Sequence, residues 1–483
     1  MTSTIQTNSS GTTYLTGTVS KLNTQQLIDN AVALRLRKRT RLTDQINNNT
    51  NKIVAYQDLQ SLSKTVQDKL NVLKSFTTGT ATNVLTSKQV SYTSSDSTVP
   101  TNVLTATAGT TAQTGTRRVV VSQIAQALSV TSDEQVSATA ALGFTGTFDI
   151  AEAGKTAATI NVTATTTLQD IANAINATTT TSGVKADILQ STNGNYKLVI
   201  TGNDTATNIN ITNITGTNVL NSLDVIDGLG AFSNVSQAAQ QAQISIDGTT
   251  IFSNTNKITN ALTGVDLDLK SAAPATTITL TIGDNVDGTK KAIEEFVTAY
   301  NALRNSLASY QKISNDGTIA ASAYLYNDAL TTGFARNIAS AVTGTYGSGS
   351  VYNSLAAVGV TIDSKNELKL DAVTLDKALK NNFSDVKSLF ATDGVTTGVA
   401  DTLYTQLDNY AKPSNGSFAL SVVNLETLDN ELVAKADAIQ TAADVYRQSL
   451  IDKYAKLETQ LARANTVKKQ LTAILNGNNK NNN

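Results

Sequence analysis

The side chains best placed for covalent chemistry are three Ser–Lys pairs spaced S-x-x-K: Ser61/Lys64, Ser309/Lys312 and Ser384/Lys387. Such a pair is a nucleophile only where the lysine is buried and its pKa lowered. No K-T-G segment accompanies them, and a Ser-rich chain produces the spacing by composition alone. Glu294 and Glu295 are adjacent carboxylates. On a helix they point about 100° apart, whereas a glycosidase pair faces across one cleft. DNVDGT (284–289) and DLD (266–268) have the Asp content of calcium loops without the alternating ligands and closing Glu, so they read as turns. GTYGSGS (344–350) lacks the Lys of a phosphate-cradling loop and reads as a loop. The chain contains no His and no Cys, which removes the commonest general base, the thiol nucleophile, the usual zinc ligands and any disulfide. These residues nominate no catalytic group, metal or cofactor, and the expectation is a protein that is not an enzyme.

Charge is balanced at 37 basic against 38 acidic residues, which argues against nucleic acid as a partner. One strong run stands out: Arg35, Arg37, Lys38, Arg39 and Arg41. On a helix these five spread around the axis, whereas a nucleic-acid reader shows a one-sided stripe with aromatics nearby. A solvated joint in a helix and docking on an acidic partner surface both stay open. No apolar run approaches the ~18–20 residues of a membrane helix, so no membrane insertion is expected. The first residues lack the basic start and apolar core of a cleaved secretory signal. The chain is therefore expected to be cytosolic or exported by another route.

The elements that carry these residues follow a helix–strand–helix order. The length of 483 residues suggests three or four domains at about 100–200 residues each. The first dozen residues are polar and predict no fixed structure. Residues 22–76 read as helix: Leu42, Ile46, Ile53, Tyr56, Leu59, Leu62, Val66, Leu70 and Leu73 fall at helical spacing, with no Gly or Pro between them. From 84 to 282 short alternating runs rich in Thr, Val and Ile, such as 117–123, 159–162, 197–201, 243–247 and 276–282, read as strands. LQDIANAIN (168–176) reads as a short helix within them. Helix returns at 288–312, followed by a strand–turn–strand at 358–370 and helices at 375–390 and 425–475. In the last of these, Leu450, Leu457, Ala464 and Leu471 recur every seven residues, and Tyr454, Leu461 and Leu475 form the companion series. A four-plus-four step between 446 and 454 is a stutter, and Lys468 interrupts the companion series. Six of the last eight residues are Asn, a polar tail.

The predicted fold class is α+β: long terminal coiled-coil helices forming legs, with two β-rich head modules in the middle, one inserted in the other. The expected divisions are 1–80, 84–133 with 237–283, 134–236, 284–420 and 421–483. Two long helices of one chain most simply bury their stripes against each other or against copies. The candidate assembly residues are Leu42, Ile46, Ile53, Leu450, Tyr454, Leu457, Leu461, Leu471 and Leu475.

Five segments taken in order resemble the flagellar filament cap family, also called flagellar hook-associated protein 2. They are QLIDNAVAL…IVAYQDLQSL…KLNVLKS (26–75), GTRRVVVSQIAQALS (115–129), AQISIDGTTI…NKITNAL…GVDLDL (within 240–269), FVTAYNAL (296–303) and LAAVGVTIDSKNELKLDAVTLDKALKNNFSDVKSLFA (355–391). Residues 157–201 look like the short repeat of flagellin-type head domains. The family's Gly-rich opening is replaced here by TGTVSKLNTQQL (16–27). The resemblance implies a structural cap at the distal filament tip. It would be exported uncleaved through the flagellar apparatus and assembled as a homo-oligomeric ring, commonly a pentamer. It would retain flagellin and promote its folding. Its implied partners are its own copies, flagellin and a flagellar export chaperone. The alternatives are a tip adhesin for mucus or host glycans, suggested by the Thr- and Asn-rich heads, and a flagellin-like subunit.

Overall fold

The computed structural model describes residues 4–7, 11, 13–16, 19–75, 82–346, 351–392 and 396–480. The far end of the first predicted helix (76), most of the Gly-rich loop (347–350) and the last three asparagines (481–483) lie outside them. The chain divides into two units, residues 1–81 with 290–483, and residues 82–289.

The first unit is built on helix Thr24–Leu70 and helix Ser417–Lys480. Neither Gly nor Pro interrupts the former, and Asn23 Oδ1 caps it by accepting from the Gln26 N–H at 3.2 Å. The two run antiparallel: Asn49 donates to Asp429 at 2.7 Å and Arg447 reaches Asp29 at 2.6 Å. At one end they join a bundle. Tyr56 stacks on Phe418, and Phe418 meets Phe334 and Tyr410 of helices Ala329–Thr343 and Val399–Ala411. Helix Val286–Tyr310 supplies the buried Phe296, Tyr300, Leu303 and Leu307. Away from this bundle the two long helices form a two-helix stalk.

The first unit differs from expectation in four places. The predicted helix 375–390 is two, Ala372–Asn381 and Phe383–Phe390, broken at Asn382, which leaves the helical region at ψ 55°. Helices Ala329–Thr343 and Val399–Ala411 were not predicted. The last helix starts eight residues earlier than predicted and runs on to Lys480, through most of the expected tail. The N-terminal stretch is not featureless either: Thr4–Thr7 pairs antiparallel with Thr13–Thr16, with Ile5 opposite Leu15 and strand-favouring Thr at both ends of each segment.

The second unit holds two cores. In the first, five antiparallel strands lie in the order Thr249–Ser253, Ala242–Ile246, Gly115–Gln123, Ile278–Asp284, Lys88–Ser94. A three-stranded sheet (Lys257–Leu262, Val265–Leu269, Leu104–Ala108) completes it, and Val119, Val121, Ile244, Leu280, Leu104 and Leu267 fill the interior. In the second, a four-stranded and a three-stranded antiparallel sheet enclose Phe148, Ile150, Leu198 and Ile200. Helix Leu168–Asn176 adds Leu168, Ile171 and Ile175 to that interior, and Thr167 with Asp170 forms its capping box. The chain passes between the cores at paired backbone bonds joining Gln126 and Gln240.

Candidate assembly surface

The stalk decides where each candidate residue lies. Leu450 and Tyr454 pack with Leu36, Tyr446 and Ile451 against a small buried cluster of Ile28, Val32 and Ala443. Arg35 lies over the Tyr446 ring at 3.7 Å. Leu42, Ile46, Ile53 and Leu461 are half-buried. The remaining three are exposed, Leu457 at 37%, Leu471 at 58% and Leu475 at 59%, and Val467 and Ile474 join them on the surface. The structure thus brings five of the nine into or beside the seam between the helices, leaves Leu461 half-buried past its end, and leaves three exposed.

The reason is where the first helix begins. Helix Thr24–Leu70 covers its partner only as far as about Tyr454. Beyond it the chain's N-terminal segment takes over from another side, and burial moves to Ala455 and Glu458. Glu458 accepts the backbone N–H of Val19 at 3.0 Å and of Ser20 at 3.3 Å, and the Ser20 hydroxyl as well. Gln448 donates to the Thr7 carbonyl at 3.2 Å, tying the terminal hairpin to the same helix. From about residue 462 onward nothing among the described residues covers the helix. Its exposed stretch carries Arg463, Lys468 and Lys469, and the sequence has no acidic residue after Glu458. Lys468 and Lys469 line an open groove with Val19 and Lys21.

The groups considered for chemistry sit elsewhere and do ordinary work. Lys64 pairs with Asp68 on an exposed face, and Lys312 and Lys387 are exposed, so none of the three Ser–Lys pairs has a buried lysine. Glu295 bonds Lys69 at 2.9 Å, which lowers its pKa, while Glu294 is exposed. Asp284 pairs with Lys88 at 2.7 Å, and Asn285 Oδ1 accepts the Gly288 N–H as the next helix starts. Among the described residues no cluster of acidic residues could hold a metal, and no helix is long and apolar enough to cross a membrane.

Sequence reasoning missed three polar residues that organise the fold. Glu458 is one. Asn301, inside the AYN segment, pairs its side-chain amide with both backbone groups of Leu368, at 2.8 and 2.7 Å, pinning the hairpin Val360–Ile362/Leu368–Leu370. The neighbouring Tyr300 is wholly buried, its hydroxyl has no partner among the described residues, and burial pushes its pKa up to about 12. The third is Glu152, buried in the second unit. A polar residue in a polar sequence carries no signal for such roles; AYN, held between apolar helical positions, was the one readable hint.

Residues 20–128 match the family model described as flagellar hook-associated protein 2 N-terminus, and residues 239–466 match the C-terminus model of the same name. Residues 147–204 match the flagellin hook IN motif. The chain is 27% identical over 470 residues to the flagellar hook-associated protein 2 of Escherichia coli (strain K12), spanning 94% of this chain and 96% of that one. It is also 27% identical over 409 residues to the B-type flagellar hook-associated protein 2 of Pseudomonas aeruginosa, spanning 80% and 85% respectively. Among solved structures, the D1-D2-D3 domains of the flagellar cap protein FliD from Escherichia coli align with a TM-score of 0.57 at 28% identity. That alignment covers 76% of this chain and 99% of that one.

Proposed function

The chain belongs to the flagellar hook-associated protein 2 family, whose members are structural proteins of the flagellar cap. From that premise we propose that it closes the distal tip of the filament as a ring of identical copies, retains exported flagellin beneath the ring and promotes its folding and polymerisation. The observation that carries this reading is the stalk with its uncovered end. Val467, Leu471, Ile474 and Leu475 keep a helical apolar stripe in water with no cover among the described residues. A stripe of this kind takes another helix, and terminal helices of filament subunits fit it. An export chaperone would shield the same stripe before secretion. Attachment and release must alternate as the filament lengthens, and the short stripe with Lys468 and Lys469 beside it suits a contact that is not permanent. Passage through the flagellar export channel, uncleaved, belongs to the same reading. With no Cys and three Pro, the unfolded chain forms no disulfide and has few slow-isomerising bonds.

The test is a clean deletion in the native host with the full chain returned on a plasmid. The expected result is monomeric flagellin in the medium, cells without filaments, and both defects reversed by the plasmid. Normal filaments in the deletion strain would overturn the proposal.

A further inference from the structure

The middle of the stalk carries an unfilled surface distinct from the uncovered tip. A groove of about 540 Å³ lies between the two long helices, floored by Leu42, Ala438 and Ile439 and rimmed by Lys38, Arg41 and Lys435. Lys38 and Arg41 are exposed and have no ion-pair partner among the described residues; Lys435 reaches Glu431 at 3.6 Å. The seam is open here because two helices cannot seal it. Between Val32 and Ala55 the first helix has no fully buried residue.

The opposite flank of the second helix has the complementary character. Glu426, Asn430, Val433, Asp437, Gln440 and Asp444 follow one another at steps of four and three, which places them on one stripe. Its three carboxylates are exposed with no ion-pair partner among the described residues, Val433 is 45% exposed at its centre, and Arg447, at the next step of three, is turned to Asp29 at 2.6 Å. Lys435 stands nine residues after Glu426 and nine before Asp444. At about 100° per residue that is roughly half a turn beyond two full turns in each direction. The acidic stripe therefore lies on the far side of the helix from Lys435, centred at the same height along the stalk.

We infer that the cation-rimmed groove of one chain receives the acidic stripe of a second copy. Val433 seats over Leu42 and Ile439, and Asp437 faces Lys38, Arg41 and Lys435. Two unlike surfaces on opposite flanks at one height make a head-to-tail contact that needs no axial shift, so successive copies stand side by side and close into a ring. A two-fold contact through either flank alone would set like charges against each other. Exposed ion pairs are individually weak and screened by salt. The contact therefore adds selectivity and register to the stalks. The inference rests on the ring proposed above and assigns the stalk surfaces that meet within it.

Charge reversal in the full-length chain tests it. One variant carries Lys38→Glu and Arg41→Glu, a second carries Asp437→Lys, and a third combines all three. Sedimentation velocity should show self-association of each single-flank variant weakened roughly tenfold or more. The combined variant should recover most of that loss, and association of the unmodified chain should fall as salt rises. Unchanged association in either single-flank variant overturns the inference, as does a combined variant no better than the single ones. Weakened binding to filaments with self-association intact also overturns it, because the partner is then a filament subunit. Where circular dichroism shows lost helix, the neutral variants Lys38→Gln/Arg41→Gln and Asp437→Asn are read instead: each must weaken association, and an unchanged result overturns the inference. If every variant still reverses the deletion defect while association is unaffected, this inference fails and the cap function stands. If the unmodified chain cannot reverse it, the cap function is what fails.

Discussion

Glu152 shows how much a single carboxyl can organise. It is 1% exposed, with Oε1 accepting the Asp204 N–H at 2.7 Å and Oε2 without a partner among the described residues. Gly183, at φ +73°, and Gly202 leave the space it fills: a Cβ at either would stand 2.2 Å from Oε2 or 2.6 Å from Oε1. Burial raises the Glu152 pKa above the usual carboxylate range; the charge of Asp204 adds to this, while the Asp204 N–H and Lys155 oppose it. A carboxyl whose folded pKa is raised contributes stability below its unfolded pKa and loses it as pH rises through the folded value. Glu152→Gln should therefore gain melting temperature relative to the unmodified chain at about pH 8 compared with about pH 4. Calorimetry at the two pH values reads the difference, and an equal offset at both would mean that Glu152 is not the group titrating. Nothing in the segment FDIAEAG marks this residue, since its environment comes from Gly183 and Gly202, far along the chain. Glu458 and Asn301 were hidden for the same reason: their partners, Ser20 and Leu368, are set by the fold and not by spacing.

At the scale of elements, periodicity carried the long helices and most strands, because burial of one face imposes a repeat on the sequence. It failed where burial does not come from one direction. Helix Ala329–Thr343 has Gly333 and several threonines among its apolar positions, which blurs its stripe. In the last helix the leucine series continues through Leu457, but the buried side chains shift to Ala455 and Glu458. That shift depends on the first helix beginning at Thr24, a boundary that the second helix's own residues do not encode. Leu471 and Leu475 remain on the series without any cover. Replacing both with Asp should leave thermal stability within about 0.5 kcal/mol, as for other exposed positions, yet abolish filament growth in complementation. A large loss of stability would show that these residues are packed within the chain. Normal growth would remove the tip from the mechanism.

At the scale of the whole molecule, the order helix, strands, helix was legible, while the cause of the two-unit division lies in contacts. Residues 82–289 complete both their cores locally, whereas the other unit joins segments from the two ends of the chain. Heating should give two calorimetric transitions, with Glu152→Gln moving only one of them; a single transition that shifts as a whole would mean that the units unfold together. The clasp of Val19 and Ser20 on Glu458 spans 439 and 438 residues of sequence. That separation makes the stalk a timer. The central unit can fold as soon as its own residues are free, but the stalk needs both ends of the chain at once. A chain shortened at either end would keep a folded centre and lose the closed stalk, so the fold couples the completeness of its longest element to the presence of both termini.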